Sequence, residues 1–79
     1  VINRKAADAL LGERAVSLLF VGVEAVNGDF EEGDIINIVD EDGVRIAVGR
    51  AAFGAAEARR NIGRHDIRPL VHYDYMYME

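Results

Sequence analysis

The sequence predicts a mainly β chain with two short helices, folded as a small barrel that its two chain ends close. Three observations lead to this class. Apolar, β-branched runs of strand length alternate with glycine-containing and acidic turns. Two short stretches, one in each half, have helical patterns with capping residues. The chain has only 79 residues, so its core is thin and leaves little room for an enclosed active site.

The first helix is predicted to end at Leu11, because Asn3 can cap its start and Gly12 can end it in a left-handed conformation. Its apolar face is predicted to hold Ala6, Ala9 and Leu10. Residues 16–26 then have a strand-like, largely buried pattern. Gly22 interrupts this pattern, which indicates a bend or a close approach of another backbone.

The middle of the chain predicts a hairpin, with strands over residues 35–39 and 44–50 joined by the acidic turn 40–43. In the second strand, apolar residues are predicted to face one side and Arg45 the other. The apolar residues concerned are Val44, Ile46 and Val48. The acidic turn lacks the ligand spacing of a calcium loop, so a hairpin turn is favoured over a metal site.

The last third predicts a second helix over residues 55–61, ending near Gly63, and a closing strand over residues 70–78. Alternation in that strand places three tyrosines on one face: Tyr73, Tyr75 and Tyr77. These rings either stack on nucleic-acid bases or pack against another domain. His72 and Asp74 share the other face, where a hydrogen-bonded structural pair is favoured over a metal site, because no third ligand is nearby.

The charges divide the chain into an acidic first part and a basic remainder. The net charge is -5, which disfavours nucleic-acid binding. Residues 1–43 carry three basic and ten acidic side chains, whereas residues 44–79 carry six arginines and four acids. The planar fork of arginine suits phosphate contact, although an arginine-rich solvated face is equally ordinary.

Composition also excludes several classes of protein. The chain has no Cys, so it has neither a disulfide framework nor a thiolate zinc site, and a cytoplasmic location is expected. The longest apolar stretch, residues 15–23, is too short to span a membrane. Because the chain begins at Val1 without a signal-peptide pattern, we expect one domain, residues 1–79, cut from a longer protein.

Three runs of glycines, apolar residues and acidic turns resemble the PUA domain family. In order, they are Ser17–Val23, Gly28–Ile36 and Asp42–Gly49. Within that family the chain is most similar to the C-terminal PUA domain of glutamate 5-kinase, whose closing strand begins with a His-x-Asp pattern, matched here by His72 and Asp74. The resemblance implies a PUA-like pseudo-barrel.

The resemblance also implies RNA contact near the first helix and the corner that follows it. The residues that this places in a nucleic-acid-binding site are Ser17, Phe20, Val21, Gly22 and Val23. At Gly22 a side chain would obstruct a nucleotide, but the favoured alternative is that Gly22 only permits a tight barrel corner. Leu18 and Leu19 are expected in the core.

Five basic residues are added to this candidate site as a phosphate-holding face, provided that the two helices lie near each other. They are Lys5, Arg50, Arg59, Arg60 and Arg64. The alternative is a solvated surface or an interface with a kinase domain, and the acidic first half of the chain favours it.

Two hypotheses of function follow from the resemblance. The first is a non-catalytic accessory domain at the C-terminus of a glutamate 5-kinase-like enzyme, an ATP-dependent amino acid kinase of proline biosynthesis, which tunes assembly or regulation. The alternative is an RNA-binding PUA module of an RNA-modifying or other RNA-associated protein. The expected partners are structured RNA, the preceding domain of the parent chain and, through the parent, a homo-oligomer, but no membrane.

No catalytic residue, metal or cofactor is expected in this chain. It has no phosphate-binding Gly-Lys loop, no nucleophile with an adjacent base and no metal cluster. ATP and Mg are expected only for a kinase parent.

Overall fold

The computed structural model describes residues 1–12 and 15–78. These residues form two α-helices: α1 (Arg4–Leu11) and α2 (Ala55–Arg60). They also form three strands: β1 (Ile35–Val39), β2 (Arg45–Arg50) and β3 (Met76–Met78). The strands make one antiparallel sheet in the order β1-β2-β3. Two short 3-10 turns complete the regular structure: Phe20–Gly22 and Tyr73–Tyr75.

Helix α1 begins as the sequence predicts but ends differently. The Asn3 side chain accepts a hydrogen bond from the Ala6 N–H at 2.8 Å, which confirms the cap. At the other end, Gly12 is extended (φ -69°, ψ 173°), so the predicted left-handed ending is wrong. The buried face is also rotated from the predicted one, because Ala7 and Leu10 are buried whereas Ala9 is exposed.

The predicted strand over residues 16–26 does not form. Two isolated bridges replace it, Leu18 with Val71 and Val23 with Ile2, and the 3-10 turn lies between them. Leu18 is buried as predicted, but Leu19 is 48% exposed, so the prediction that Leu19 lies in the core is wrong. Burial alternates in this segment as it does in a strand, but the 3-10 turn prevents a continuous ladder of hydrogen bonds.

The hairpin is confirmed. Strands β1 and β2 pair from Ile35 opposite Arg50 to Val39 opposite Arg45, with an irregularity just before Val39. The predicted apolar face of β2 is wrong at Val44, which is 56% exposed and precedes the strand.

Two neighbouring residues of β2, Ile46 and Ala47, are both buried, although their side chains point to opposite faces. Strand β2 lies between β1 and β3 at the centre of the sheet. The burial of Ile46 and Ala47 shows that both faces of the strand are covered there, so the sequence pattern of a half-exposed strand does not apply.

Helix α2 is confirmed, with Arg59 and Arg60 in its last turn and Gly63 at positive φ (83°) just beyond it. The predicted strand over residues 70–78 is mostly wrong, because only its last three residues pair with β2. Local hydrogen bonds of the 3-10 turn replace the ladder, so the three tyrosines do not lie on one face of a strand.

The core lies where the beginning, middle and end of the chain meet. The largest fully buried side chains are Phe20, Ile2 and Val71. Phe20 packs edge-to-face on Phe53, with ring centroids 5.3 Å apart. The Ile2 N–H donates to the Val39 carbonyl at 2.8 Å, which attaches the start of the chain to β1. Neither α1 nor α2 is long and apolar enough to cross a membrane.

Candidate functional site

An apolar groove of about 460 Å³ lies between helix α1 and residues 16–22, and we call it the α1 groove. Four of the predicted nucleic-acid-binding residues line it: Lys5, Ser17, Val21 and Gly22. Leu19 and Val21 are 48% and 45% exposed at its wall. The groove therefore presents mainly apolar side chains, with the Lys5 ammonium as a positive charge beside them.

Two other predicted residues of the same segment do not reach the groove with their side chains. Phe20 and Val23 are only 1% and 5% exposed and belong to the core. A ligand in the α1 groove could meet Val21, but not the Phe20 ring. RNA contact through this segment stays a prediction.

Gly22 allows helix α1 to lie close to the 3-10 turn. A Cβ atom on Gly22 would lie 2.5 Å from the Ala6 Cβ, which real side chains do not permit. The backbone around Gly22 is also engaged, because its carbonyl accepts from the Asn3 N–H and its N–H donates to the Leu19 carbonyl. Packing inside the chain is thus sufficient to explain this glycine.

Ser17 connects the α1 groove to the C-terminal segment. Its hydroxyl oxygen accepts a hydrogen bond from the Tyr73 N–H at 2.9 Å. The hydroxyl proton is still available to a ligand, because a hydroxyl can donate and accept at once.

The predicted basic face is not assembled. Lys5 lines the α1 groove, whereas Arg50 lines a second groove that shares no lining residue with it. Arg59 donates to the carbonyls of Val26 and Gly28 and therefore holds the loop before β1. Arg60 is exposed in the last turn of α2.

Arg64 is engaged in a local pair. Its guanidinium donates two hydrogen bonds of 2.9 Å to the Asp66 carboxylate and one of 2.8 Å to the Asn61 side chain. The hydrogen bonds from Arg64 lower the pKa of Asp66 below its usual value. A phosphate at Arg64 would have to compete with this carboxylate.

The second groove, of about 490 Å³, contains an arginine that the sequence does not indicate as a site residue. Besides Arg50, it is lined by Arg68, His72, Tyr75 and Glu32 among other residues, and we call it the arginine groove. Arg68 could not be found from sequence, because nothing local indicates that the chain returns there to the end of β2. The sequence shows only that an arginine precedes Pro69.

His72 and Asp74 form a local hydrogen-bonded pair, although not on a strand. The His72 Nδ1 accepts from the Asp74 N–H at 3.1 Å and lies 3.7 Å from the Asp74 carboxylate. The His72 ring also lies against Tyr73, with centroids 4.3 Å apart. This geometry caps the 3-10 turn.

The acidic turn 40–43 has structural roles. The Asp40 carboxylate accepts from the N–H groups of Asp42 and Val44, at 2.9 and 3.0 Å, and thereby closes the hairpin. The Glu41 carboxylate accepts from the Arg4 N–H at 2.6 Å, at the start of α1. Within residues 1–12 and 15–78, no group of three or more His, Asp or Glu is placed to hold a metal ion.

Comparison with known proteins identifies relatives of the whole chain. A family model described as the PUA domain matches residues 1–73. The chain is 45% identical over 78 residues to glutamate 5-kinase of Bacteroides thetaiotaomicron, a match that covers 99% of this chain and 22% of that protein. It is 46% identical over 79 residues to glutamate 5-kinase of Chlorobaculum tepidum, again covering 99% of this chain and 22% of the relative.

The chain thus spans 22% of the length of these curated relatives and matches their C-terminal, non-catalytic part. Among solved structures, a conserved PUA domain protein from Thermoplasma acidophilum matches with a TM-score of 0.68 and 24% identity, over 90% of this chain and 45% of that one. A PUA domain from Aeropyrum pernix, solved as a tartrate complex, matches with a TM-score of 0.70 and 27% identity, over 90% and 40%. The predicted fold class, a PUA-like pseudo-barrel with two short helices, is confirmed.

Proposed function

This chain belongs to the PUA domain family, and from that premise we propose that it is an accessory domain of a glutamate 5-kinase-like enzyme. In this proposal the domain tunes assembly or feedback control of the parent, which phosphorylates glutamate with ATP in proline biosynthesis. ATP and magnesium act in the kinase part of the parent. The enzyme works in the cytoplasm, and structured RNA is a secondary partner.

The observation that carries the proposal is identity of 45% along 99% of the chain with a glutamate 5-kinase. The character of the α1 groove supports it. The exposed side chains around the groove include Leu19 (48%) and Val21 (45%). A group of exposed apolar side chains is typical of a contact with another protein surface.

The test substitutes one residue of the α1 groove, Val21, in the full-length parent enzyme. We expect Val21→Asp to change the oligomeric mass in size-exclusion chromatography with light scattering, or to weaken proline inhibition, because a carboxylate would be buried at the contact. The kcat for glutamate should stay the same, since this domain holds none of the catalytic groups.

Val44→Asp is the matched control. Val44 is also an exposed apolar residue, at 56%, but it lies beside the hairpin turn and does not line the α1 groove. The proposal fails if Val21→Asp leaves both the oligomeric mass and proline inhibition as they are in the unchanged enzyme.

RNA binding through the same groove is the second candidate, and one observation favours it. Lys5 and the Ser17 hydroxyl line the groove together, and they offer a cation and a donor to a phosphate. Titration of labelled tRNA should then show binding at about 50 mM salt that weakens at about 200 mM. Lys5→Gln should weaken it further, whereas absence of binding at the lower salt concentration would exclude this candidate.

A further inference from the structure

The arginine groove combines two guanidinium groups and two rings from separate segments of the chain. Arg50 comes from the end of β2, while Arg68, His72 and Tyr75 come from the segment before β3. Its volume of about 490 Å³ lies within the range of about 300 to 1,000 Å³ that is usual for small-molecule sites.

The Arg50 side chain is positioned by its neighbours. Its guanidinium carbon lies 5.5 Å from the centroid of the Tyr75 ring. It also passes close to Gly33, where an added Cβ atom would lie 3.8 Å from the Arg50 Nε and Nη2. The Tyr75 ring therefore positions the guanidinium, and its N–H groups have no protein acceptor among the described residues.

Arg68 is positioned by one hydrogen bond and one ring. Its Nη2 donates to the Ala52 carbonyl at 3.2 Å, and its guanidinium carbon lies 4.6 Å from the centroid of the Phe53 ring. A guanidinium has five N–H donors, so most of them remain available. No carboxylate of residues 1–12 and 15–78 lies within 4.0 Å of Arg50 or Arg68.

The two rings of the groove add a donor and an aromatic surface. Because the His72 Nδ1 accepts the Asp74 N–H, the proton of the neutral imidazole lies on Nε2, which can donate to a ligand. Tyr75 is half-exposed at 49%. Exposed aromatic rings beside arginines are a common arrangement for holding a nucleotide base next to its phosphate.

We propose that the arginine groove binds a nucleoside phosphate, with the phosphate held by Arg50 and Arg68 and the base placed against Tyr75. Two positioned guanidinium groups can each donate charge-assisted hydrogen bonds to phosphate oxygens. Glu32, which also lines the groove, opposes the negative charge of the ligand and lowers its affinity. The ligand is either a free mononucleotide or the terminal nucleotide of an RNA strand.

The test titrates the isotopically labelled 79-residue chain and follows amide shifts by NMR. The probes are AMP, inorganic phosphate, adenosine and a short RNA with or without a 5′-phosphate. We expect saturable shifts at the groove with AMP or with the 5′-phosphorylated RNA, and adenosine should bind at least about tenfold more weakly because it lacks the charge-assisted bonds. Binding of AMP identifies a free nucleotide as sufficient, whereas binding of the phosphorylated RNA alone identifies a strand end.

Four variants decide whether the groove itself binds. Arg50→Gln and Arg68→Gln should each weaken binding about tenfold, and Glu32→Gln should strengthen it, because it removes the opposing charge. Arg4→Gln is the control, since Arg4 lines neither the arginine groove nor the α1 groove. The Glu32 variant keeps the test decisive even if an arginine variant unfolds.

Two results would overturn the proposal. The first is that neither AMP nor the 5′-phosphorylated RNA gives saturable shifts at the groove. The second is binding that Glu32→Gln and the folded arginine variants leave unchanged. An equal loss of binding with Arg4→Gln would show that the loss follows from the general change in charge, and it would also reject the arginine groove.

Discussion

At the scale of single residues, Asn3 and Gly22 meet where helix α1 begins, because the Asn3 N–H donates to the Gly22 carbonyl at 2.9 Å. The sequence predicts the local part of this arrangement and not the distant part. The Asn3 cap follows from a side chain and an N–H three residues later. The reason for Gly22 depends on Ala6, sixteen residues earlier, and the sequence indicates only that some close approach occurs. Arg59 is predicted as a phosphate ligand by its residue type, but its partners, the carbonyls of Val26 and Gly28, are set by tertiary structure. Arg64 is an exception, because its carboxylate partner Asp66 is only two residues away and is still not predicted.

Gly22→Ala tests the close packing of α1. The added methyl would meet the Ala6 Cβ at 2.5 Å, so we expect a loss of about 1 to 3 kcal/mol in the free energy of unfolding. The double variant Ala6→Gly with Gly22→Ala should lose less than the sum of the two single variants. Urea denaturation measures all three, and strict additivity would contradict the proposed contact.

Asp40→Ala tests the hairpin turn. It removes the acceptor of two backbone N–H groups, from Asp42 and Val44, so a loss of about 1 to 2 kcal/mol is expected. Asp42→Ala removes the same charge from the same exposed turn, and its carboxylate accepts no hydrogen bond from residues 1–12 and 15–78. The free energy of unfolding of this variant should therefore stay within about 0.5 kcal/mol of the unchanged chain. Thermal melts of the two variants should therefore differ clearly, and equal melting temperatures would reject this role of Asp40.

At the scale of elements, the helices and the hairpin were predictable because their signals are local: caps, helical spacing and a turn between two apolar runs. The predictions for segments 16–26 and 70–75 are wrong for two different reasons. In residues 18–22, buried and exposed positions alternate as in a strand, although the chain makes one bridge and then turns. In residues 70–75, residue types alternate but burial does not, because residues 73–75 form a 3-10 turn. Whether the chain forms a strand, or a single bridge followed by a turn, depends on the partner across the barrel. A single sequence does not contain that information.

Strand β3 should be the least protected part of the sheet. It pairs over three residues and on one side only, whereas β2 has partners on both sides. In hydrogen exchange at neutral pH, we expect the amides of β3 to exchange at least about tenfold faster than those of β2. Equal protection of the two strands would mean that β3 opens only with the whole domain.

At the scale of the whole molecule, stability depends on a core to which both chain ends contribute. Ile2→Ala removes one of the largest fully buried side chains, so we expect a loss of about 2 to 5 kcal/mol. For a chain of this length that is a large fraction of the total, which is typically about 4 to 12 kcal/mol. Leu11→Ala, at a residue 60% exposed, should change little. Denaturant titration of both variants measures the difference, and equal effects would show that Ile2 is not part of the cooperative core.

The bridges of Ile2 with Val23 and of Leu18 with Val71 have a consequence for biosynthesis. Each joins residues far apart in the chain, so large loops must close before the core gains their contacts. During translation, residues 1–60 can form the hairpin and α2 but cannot complete the barrel. Folding should be completed only after Val71 leaves the ribosome, so most of the domain is synthesised before its core can form.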